Sequence, residues 1–563
     1  MPRNPLRARF CAAALLASAL SCGRSTVPPV PTPTTGTAVG ITPADARARL
    51  ELYADDSMQG RKAGTPGNVK ATAYLAAEAE RLGLAPAGDG GTFFQTVPLV
   101  ERRLAPDAAL AVEGQAFRPG ADFIPRDQGR GSRSLDGAEA VYGGTLGDST
   151  RPALTPEQAA GKLVVVTVEP GPGGQSRGVV NRATTTERFS TAAAIAVATL
   201  DAVSPTDRAS LAEQGAQLAS GNARPAPTFL YVTTRVADAL LGKPLAEAAP
   251  GDAGRTVHGS IRFLDAPAAA PARNVVALLL GRDPALRGQI VAIGAHNDHI
   301  GLAPAPEDHD SLRAFNRVMR PMGAENNPGT PTGAESARIA ALRDSLRQVD
   351  RPRPDSVFNG ADDDGSGSVA LLEIAEALAR SPDRPKRSIL FVWHTAEELG
   401  LLGSDYFTRH PTLPRDSIVA QLNMDMIGRG GATDIAGGGP QYLQLVGSRR
   451  LSTELGDLIE RVNAEGRHGF VFDYSWDADG HPANIYCRSD HYMYARFGIP
   501  VTFFTTGEHL DYHQLTDEAE YIDYDKLARV AGLVQDVARH LADLDHRPVV
   551  DKPKPDPEGI CKQ

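Results

Sequence analysis

From residue 271 onward the hydrophobic positions fall into short unbroken runs, at 275–280, 289–293, 388–393, 418–424 and 500–504. Runs of that length suit strands buried on both faces. Each ends abruptly in polar residues, and stretches of helical spacing lie between them. Strands alternating with helices predict an α/β fold, a mostly parallel open sheet with helices on both faces. Ligands bind such sheets beyond the carboxyl ends of the strands, so those edges should converge on one site. Upstream, 41–99 reads as helix, loop and helix: Thr42-Pro43-Ala44-Asp45 starts one helix and Gly64-Thr65-Pro66-Gly67 makes a turn. Between 100 and 265 the pattern changes to short β-rich runs broken by Gly and Pro, such as 163–168, with helical runs among them.

The amino terminus has a different pattern. Arg3, Arg7 and Arg9 precede an apolar run at 10–20 that is too short to span a bilayer. It predicts an export signal over 1–22. Ala19-Leu20-Ser21-Cys22 is similar to a bacterial lipoprotein cleavage site, which predicts lipidation at Cys22; ordinary cleavage nearby is the alternative. Residues 23–40 form a proline- and threonine-rich linker that cannot pack a core. The expected location is extracytoplasmic, either anchored through Cys22 or secreted. The catalytic unit is expected over 266–545, with an insertion at 301–357 and a tail at 546–563.

Composition narrows the field. With 563 residues, 42% of them hydrophobic, two or three structural units are expected. A net charge of −10 argues against nucleic acid and against direct binding to anionic membranes. Cys487 and Cys561 could pair in an oxidising compartment, and no Cys-x-x-Cys spacing offers a thiolate zinc site.

The candidate chemistry lies at the predicted strand ends. These carry His296-Asn297-Asp298-His299, Asp362-Asp363-Asp364, His394-Thr395-Ala396-Glu397-Glu398, Asn423-Met424-Asp425 and, late in the chain, Asp511-Tyr512-His513. Three consecutive carboxylates repel one another unless a cation answers them. Any one of these sets has an ordinary structural explanation. Five at successive strand ends predict a metal site.

Together these segments resemble the co-catalytic di-zinc aminopeptidases of peptidase family M28. The resemblance is weak over 41–99 and good over 271–544. It implies that His296 and Asp425 hold one zinc, that Glu398 and His513 hold the other, and that Asp362 bridges them, with a cis peptide after Asp362. Four charges on two divalent cations would balance Asp362, Glu398, Asp425 and a bridging hydroxide. The mixed nitrogen and oxygen donors suit zinc, with manganese or cobalt as substitutes. Asp298 is placed to orient His296. Glu397, beside a ligand and not needed as one, is the candidate general base. Tyr512 matches a tyrosine that stabilises the oxyanion in some relatives. His299, His394, His491 and His509 are read as lining or supporting groups, and Trp393 and Phe503-Phe504 as core.

The expected activity is release of N-terminal residues from peptides. The rivals are a di-zinc carboxypeptidase of the glutamate carboxypeptidase type recruiting Arg429, Arg488 or Arg496, a glutaminyl cyclase, and a non-catalytic binding module. Residues 100–265 resemble the protease-associated domain inserted in many exported peptidases. The 301–357 insertion departs from the family pattern. Within it, Ile339, Leu342, Leu346 and Val349 predict a helix with an apolar face, and the segment is expected to act as a lid, with a lateral decoration as the alternative.

Overall fold

A computed structural model of the chain describes residues 32, 37–126, 132–146, 154–168, 182–203, 208, 211–219, 225–326, 328–347, 351–559, 561 and 563. The predicted signal and the Cys22 anchor lie outside these residues. No helix among the described residues is long and apolar enough to cross a membrane.

The principal sheet has nine strands. Its central four, Ser388–His394, Ile290–His296, Ile418–Met424 and Val501–Thr505, lie side by side and parallel. They follow the four hydrophobic runs closely, and every residue in them is buried. The flanks are antiparallel: Ala272–Leu279 pairs with Ser388–His394, and Tyr442–Val446 pairs with Val501–Thr505. The sheet is therefore mixed, parallel in the centre and again at the edge, where Tyr442–Val446 pairs with Val471–Asp473.

Alternate side chains feed two cores. Val275, Ala277, Val291, Ile293 and Phe391 face a layer that includes Pro43–Tyr53, Pro66–Arg81, Gly367–Arg380 and Tyr524–Asp543. Val276, Ala292, Leu390 and Val392 face the other side, with Phe407 and Tyr494 from helices Leu402–Arg409 and His491–Ala495. A strand buried on both faces reads as a continuous apolar run, which explains why these strands were visible in the hydrophobic pattern.

A second, eight-stranded sheet is built from residues 109–260 and has its own cores around Leu163, Val165, Leu230 and Val257 on one side and Val164, Ile195 and Tyr231 on the other. The 301–357 insertion contributes the antiparallel pair Gly301–Asp308 and Pro354–Phe358 and helices His309–Met319 and Gly333–Leu346. The predicted helix through Ile339 and Leu346 exists, but none of its residues is fully buried; Val349 lies outside the described residues.

Candidate metal centre

The carboxyl ends of the central strands meet the Asp362–Asp364 turn. His296 ends its strand, and its Nε2 lies 3.1 Å from Asp363 Oδ1 and 3.5 Å from Asp425 Oδ1. On the other side of Asp363, His513 Nε2 lies 3.0 Å from Asp363 Oδ2 and 3.0 Å from Glu398 Oε2. His299 Nδ1 lies 2.6 Å from Glu398 Oε1. Two donor groups result, His296 with Asp363 and Asp425, and His299 with Asp363, Glu398 and His513, each with its ligand atoms within 4.8 Å of one another. Asp363 belongs to both.

This corrects the expectation for Asp362, which takes no part in either group. Its Oδ1 accepts a hydrogen bond from the Gly428 amide at 2.6 Å, and its Oδ2 lies 3.1 Å from His509 Nε2. Asp364 Oδ2 accepts from the His296 amide and its Oδ1 from the Gly367 amide, both at 2.9 Å. The Asp517 carboxylate receives the Asp362 and Asp363 amides at 3.0–3.1 Å and thereby fixes the turn. The three carboxylates face three directions. The cis peptide likewise lies one residue later than expected, between Asp363 and Asp364.

Asp298 lies against the His296 ring, mainly through its main chain. His296 Nδ1 lies 3.0 Å from the Asp298 main-chain oxygen and 3.9 Å from its carboxylate, which accepts from the Glu397 amide at 3.1 Å. Asp425 Oδ2 accepts from Ser489 Oγ at 2.8 Å, and Ser489 Oγ in turn accepts from Asn423. Ser489 was not among the sequence candidates, because a serine beside an Asp-His pair carries no signal of its own. His299, read from the sequence only as a lining or supporting group, lies in the second donor group. His394 and His491 belong to the core and not to the site: His394 Nε2 meets Tyr494 Oη at 3.1 Å, and His491 stacks on Phe503. Burial pulls both down to about 3.

The electrostatics suit a cation. Burial opposes ionisation of Asp363, but His296 and His513 outweigh it and hold the carboxyl well below its usual range. Burial likewise opposes ionisation of Glu398, yet His513 and His299 bring it to about 2. Burial disfavours the imidazolium forms of His296 and His513, but the surrounding carboxylates overcome that and raise both well above the ordinary value. A bound metal performs the same neutralisation, leaving the imidazoles uncharged as ligands. Buried carboxylates and imidazoles at this spacing fit zinc.

Glu397 is half-buried and lines a cleft of about 70 Å³ with Asp363, Asp425, Met426, Phe503 and His513. Burial drives its carboxyl well above the usual range, only partly offset by His296. Tyr512 also lines the cleft, stacked on His513 with ring centres 4.0 Å apart, and its hydroxyl oxygen accepts from Arg488 at 3.3 Å.

Comparison with known proteins gives the following. Leupeptin-inactivating enzyme 1 of Streptomyces exfoliatus is 47% identical over 77 residues, which is 13% of this chain and 18% of that protein. Leucine aminopeptidase 1 of Paracoccidioides brasiliensis (strain Pb03) is 31% identical over 217 residues, 36% of this chain and 51% of the relative. The chain thus spans at most about half the length of these relatives. Among solved structures, the aminopeptidase from Aneurinibacillus sp. strain AM-1 aligns with 92% of this chain and 97% of its own, at 16% identity and a TM-score of 0.48. The family model described as Peptidase family M28 matches residues 274–538, a span that contains every residue of both donor groups. That segment, a little under half of the chain, is similar to peptidase family M28.

Proposed function

We propose that the protein is an exported zinc aminopeptidase that binds two metal ions. One ion would be held by His296, Asp363 and Asp425, the other by Asp363, Glu398 and His513. The observation that carries this reading is Asp363, one carboxylate shared by two donor groups. When bound, the cations acidify water and polarise the carbonyl under attack.

Glu397 would take the proton of the attacking water and return it to the leaving amine. Its amide is tied to Asp298, and the residue lines the cleft with Asp363, Asp425 and His513. Tyr512 would donate to the oxyanion. Because Arg488 already donates to the phenol oxygen, the phenol proton is free to point into the cleft. His299, hydrogen-bonded to Glu398, would orient that carboxylate.

The carboxypeptidase alternative needs a cation free to receive a substrate carboxylate. Arg429 is engaged by Asp511 at 2.9 Å and Asp434 at 2.7 Å, and Arg496 by Asp405 and the Pro557 carbonyl. Arg488 lines the cleft but is paired with Glu325 and Glu508. Export is supported by the Cys487–Cys561 disulfide, which forms in oxidising compartments. The unit over residues 100–265 is read as an accessory module of the protease-associated kind.

The test is hydrolysis of aminoacyl anilides and C-terminally blocked peptides, with metal analysis. Cleavage requiring a free amine and abolished by chelator is expected, and Glu397→Gln should lower kcat by about 10²–10⁴-fold with metal content retained. Cleavage that instead requires a free substrate carboxylate would overturn the reading.

A further inference from the structure

The cleft beside the donor groups has two unlike kinds of lining. Met426, Trp476, Ile485 and Phe503 supply apolar lining; Arg488 and Glu508 supply charged lining. An arginine in such a lining would ordinarily attract an acidic side chain. Here its donors are already engaged. Arg488 Nη2 donates to Glu325 Oε1 at 2.6 Å, and Nη1 lies 3.3 Å from Glu508 Oε1. One guanidinium between two carboxylates leaves the charged lining with a net charge of minus one.

Glu325 comes from outside the catalytic strands. It ends the short turn Gly323–Glu325 of the 301–357 insertion. That turn is fastened to the site: the Ala324 amide donates to the Tyr512 carbonyl at 3.0 Å. Gly323, at φ +51°, packs so closely that an added Cβ would lie 2.3 Å from the same carbonyl oxygen. Arg313 of the insertion donates to Asp511 at 2.7 Å. The insertion is thereby joined to the loop that carries His513.

We propose that Glu325, acting through Arg488, makes the charged lining of the substrate cleft negative and so selects against substrates whose first residue is acidic. Apolar side chains would pack on Met426, Trp476, Ile485 and Phe503, and basic ones would be tolerated. The proposal rests on the aminopeptidase reading above and extends it to substrate choice. Glu325 is a specificity residue that works by occupying a cation, which is discrimination by unfavourable pairing against the wrong substrate.

The experiment compares kcat/KM for leucyl, lysyl and glutamyl anilides using the full-length, metal-loaded enzyme at pH 8. That pH lies above the value of about 7 to which burial raises Glu508. The wild type should prefer lysyl to glutamyl substrate by at least about tenfold, equivalent to roughly 1.4 kcal/mol. Glu325→Gln should narrow that ratio, Glu325→Asp should restore it, and Arg488→Met should widen it. High salt should narrow it in the unmodified enzyme, a check independent of any variant's folding. A lysyl-to-glutamyl ratio near one in the wild type, or one that Glu325→Gln leaves unmoved, overturns the proposal. A purely structural role for Glu325 would lower all three substrates together. Absence of hydrolysis of all three by the wild type would overturn the aminopeptidase reading itself, and this inference with it.

Discussion

Both donor groups depend on Asp363, so the sharpest test of the centre compares it with its neighbour. Asp363→Asn should strip bound metal, because each group loses a charged donor. Asp362→Asn should keep it, since that carboxylate contacts Gly428 and His509, neither of which belongs to a donor group. Metal content after dialysis separates the two, and metal loss in the Asp362 variant alone would invalidate the assignment. The choice between these aspartates was not legible in the sequence. Residue types and strand ends point to the Asp362–Asp364 turn, but the direction each carboxylate takes is set by Asp517, more than 150 residues away, whose carboxylate gathers the Asp362 and Asp363 amides. His296, Glu398, Asp425 and His513, by contrast, lie in the donor groups to which their residue types pointed.

At the scale of elements, the central strands were readable for the same reason that they are buried on both faces, and the antiparallel flanks were not. Hydrophobic runs report burial, whereas the direction of pairing depends on partners such as Ala272–Leu279 and Ser388–His394 that lie far apart in sequence. The insertion was visible as an interruption, but its attachment was invisible, because Gly323 and Ala324 carry no chemical signal. The attachment predicts that the turn supports the His513 loop. Gly323→Ala adds a methyl where the backbone is left-handed and the Tyr512 carbonyl occupies the space. The loop must shift, and kcat/KM should fall at least about tenfold, since misplacing catalytic groups by about 1 Å can cost 10²-fold. Gly329, with nothing within 4 Å of its added Cβ, is the matched control in the same insertion. Equal activity of the two alanine variants would show that the insertion is not a support.

At the scale of the whole molecule, the cores of the second sheet share no described residue with those of the principal sheet, and a smaller cluster brings Ala216 and Leu218 against Val97, Ala272 and Ala396. The first set is built from residues such as Leu163, Val165, Ile195 and Tyr231 of the second sheet, the other from the principal sheet and its helices. Two cooperative units should therefore melt separately. The Cys487–Cys561 disulfide lies wholly in the second of these, closing a separation of 74 residues beside the cleft residue Arg488. Its far end is further held by Gln563, which accepts from the Tyr486 amide at 3.0 Å. A cross-link over so long a loop stabilises mainly by restricting the unfolded chain, typically by about 2–4 kcal/mol. Metal bound to the folded centre stabilises the same unit by mass action. Cys561→Ser and chelation should thus both lower the same calorimetric transition, by several degrees each, while the transition of the 109–260 unit stays in place. Two shifted transitions, or a single transition shared by the whole chain, would mean that the accessory unit is energetically part of the catalytic one, and the separation of cores would then have no thermodynamic counterpart.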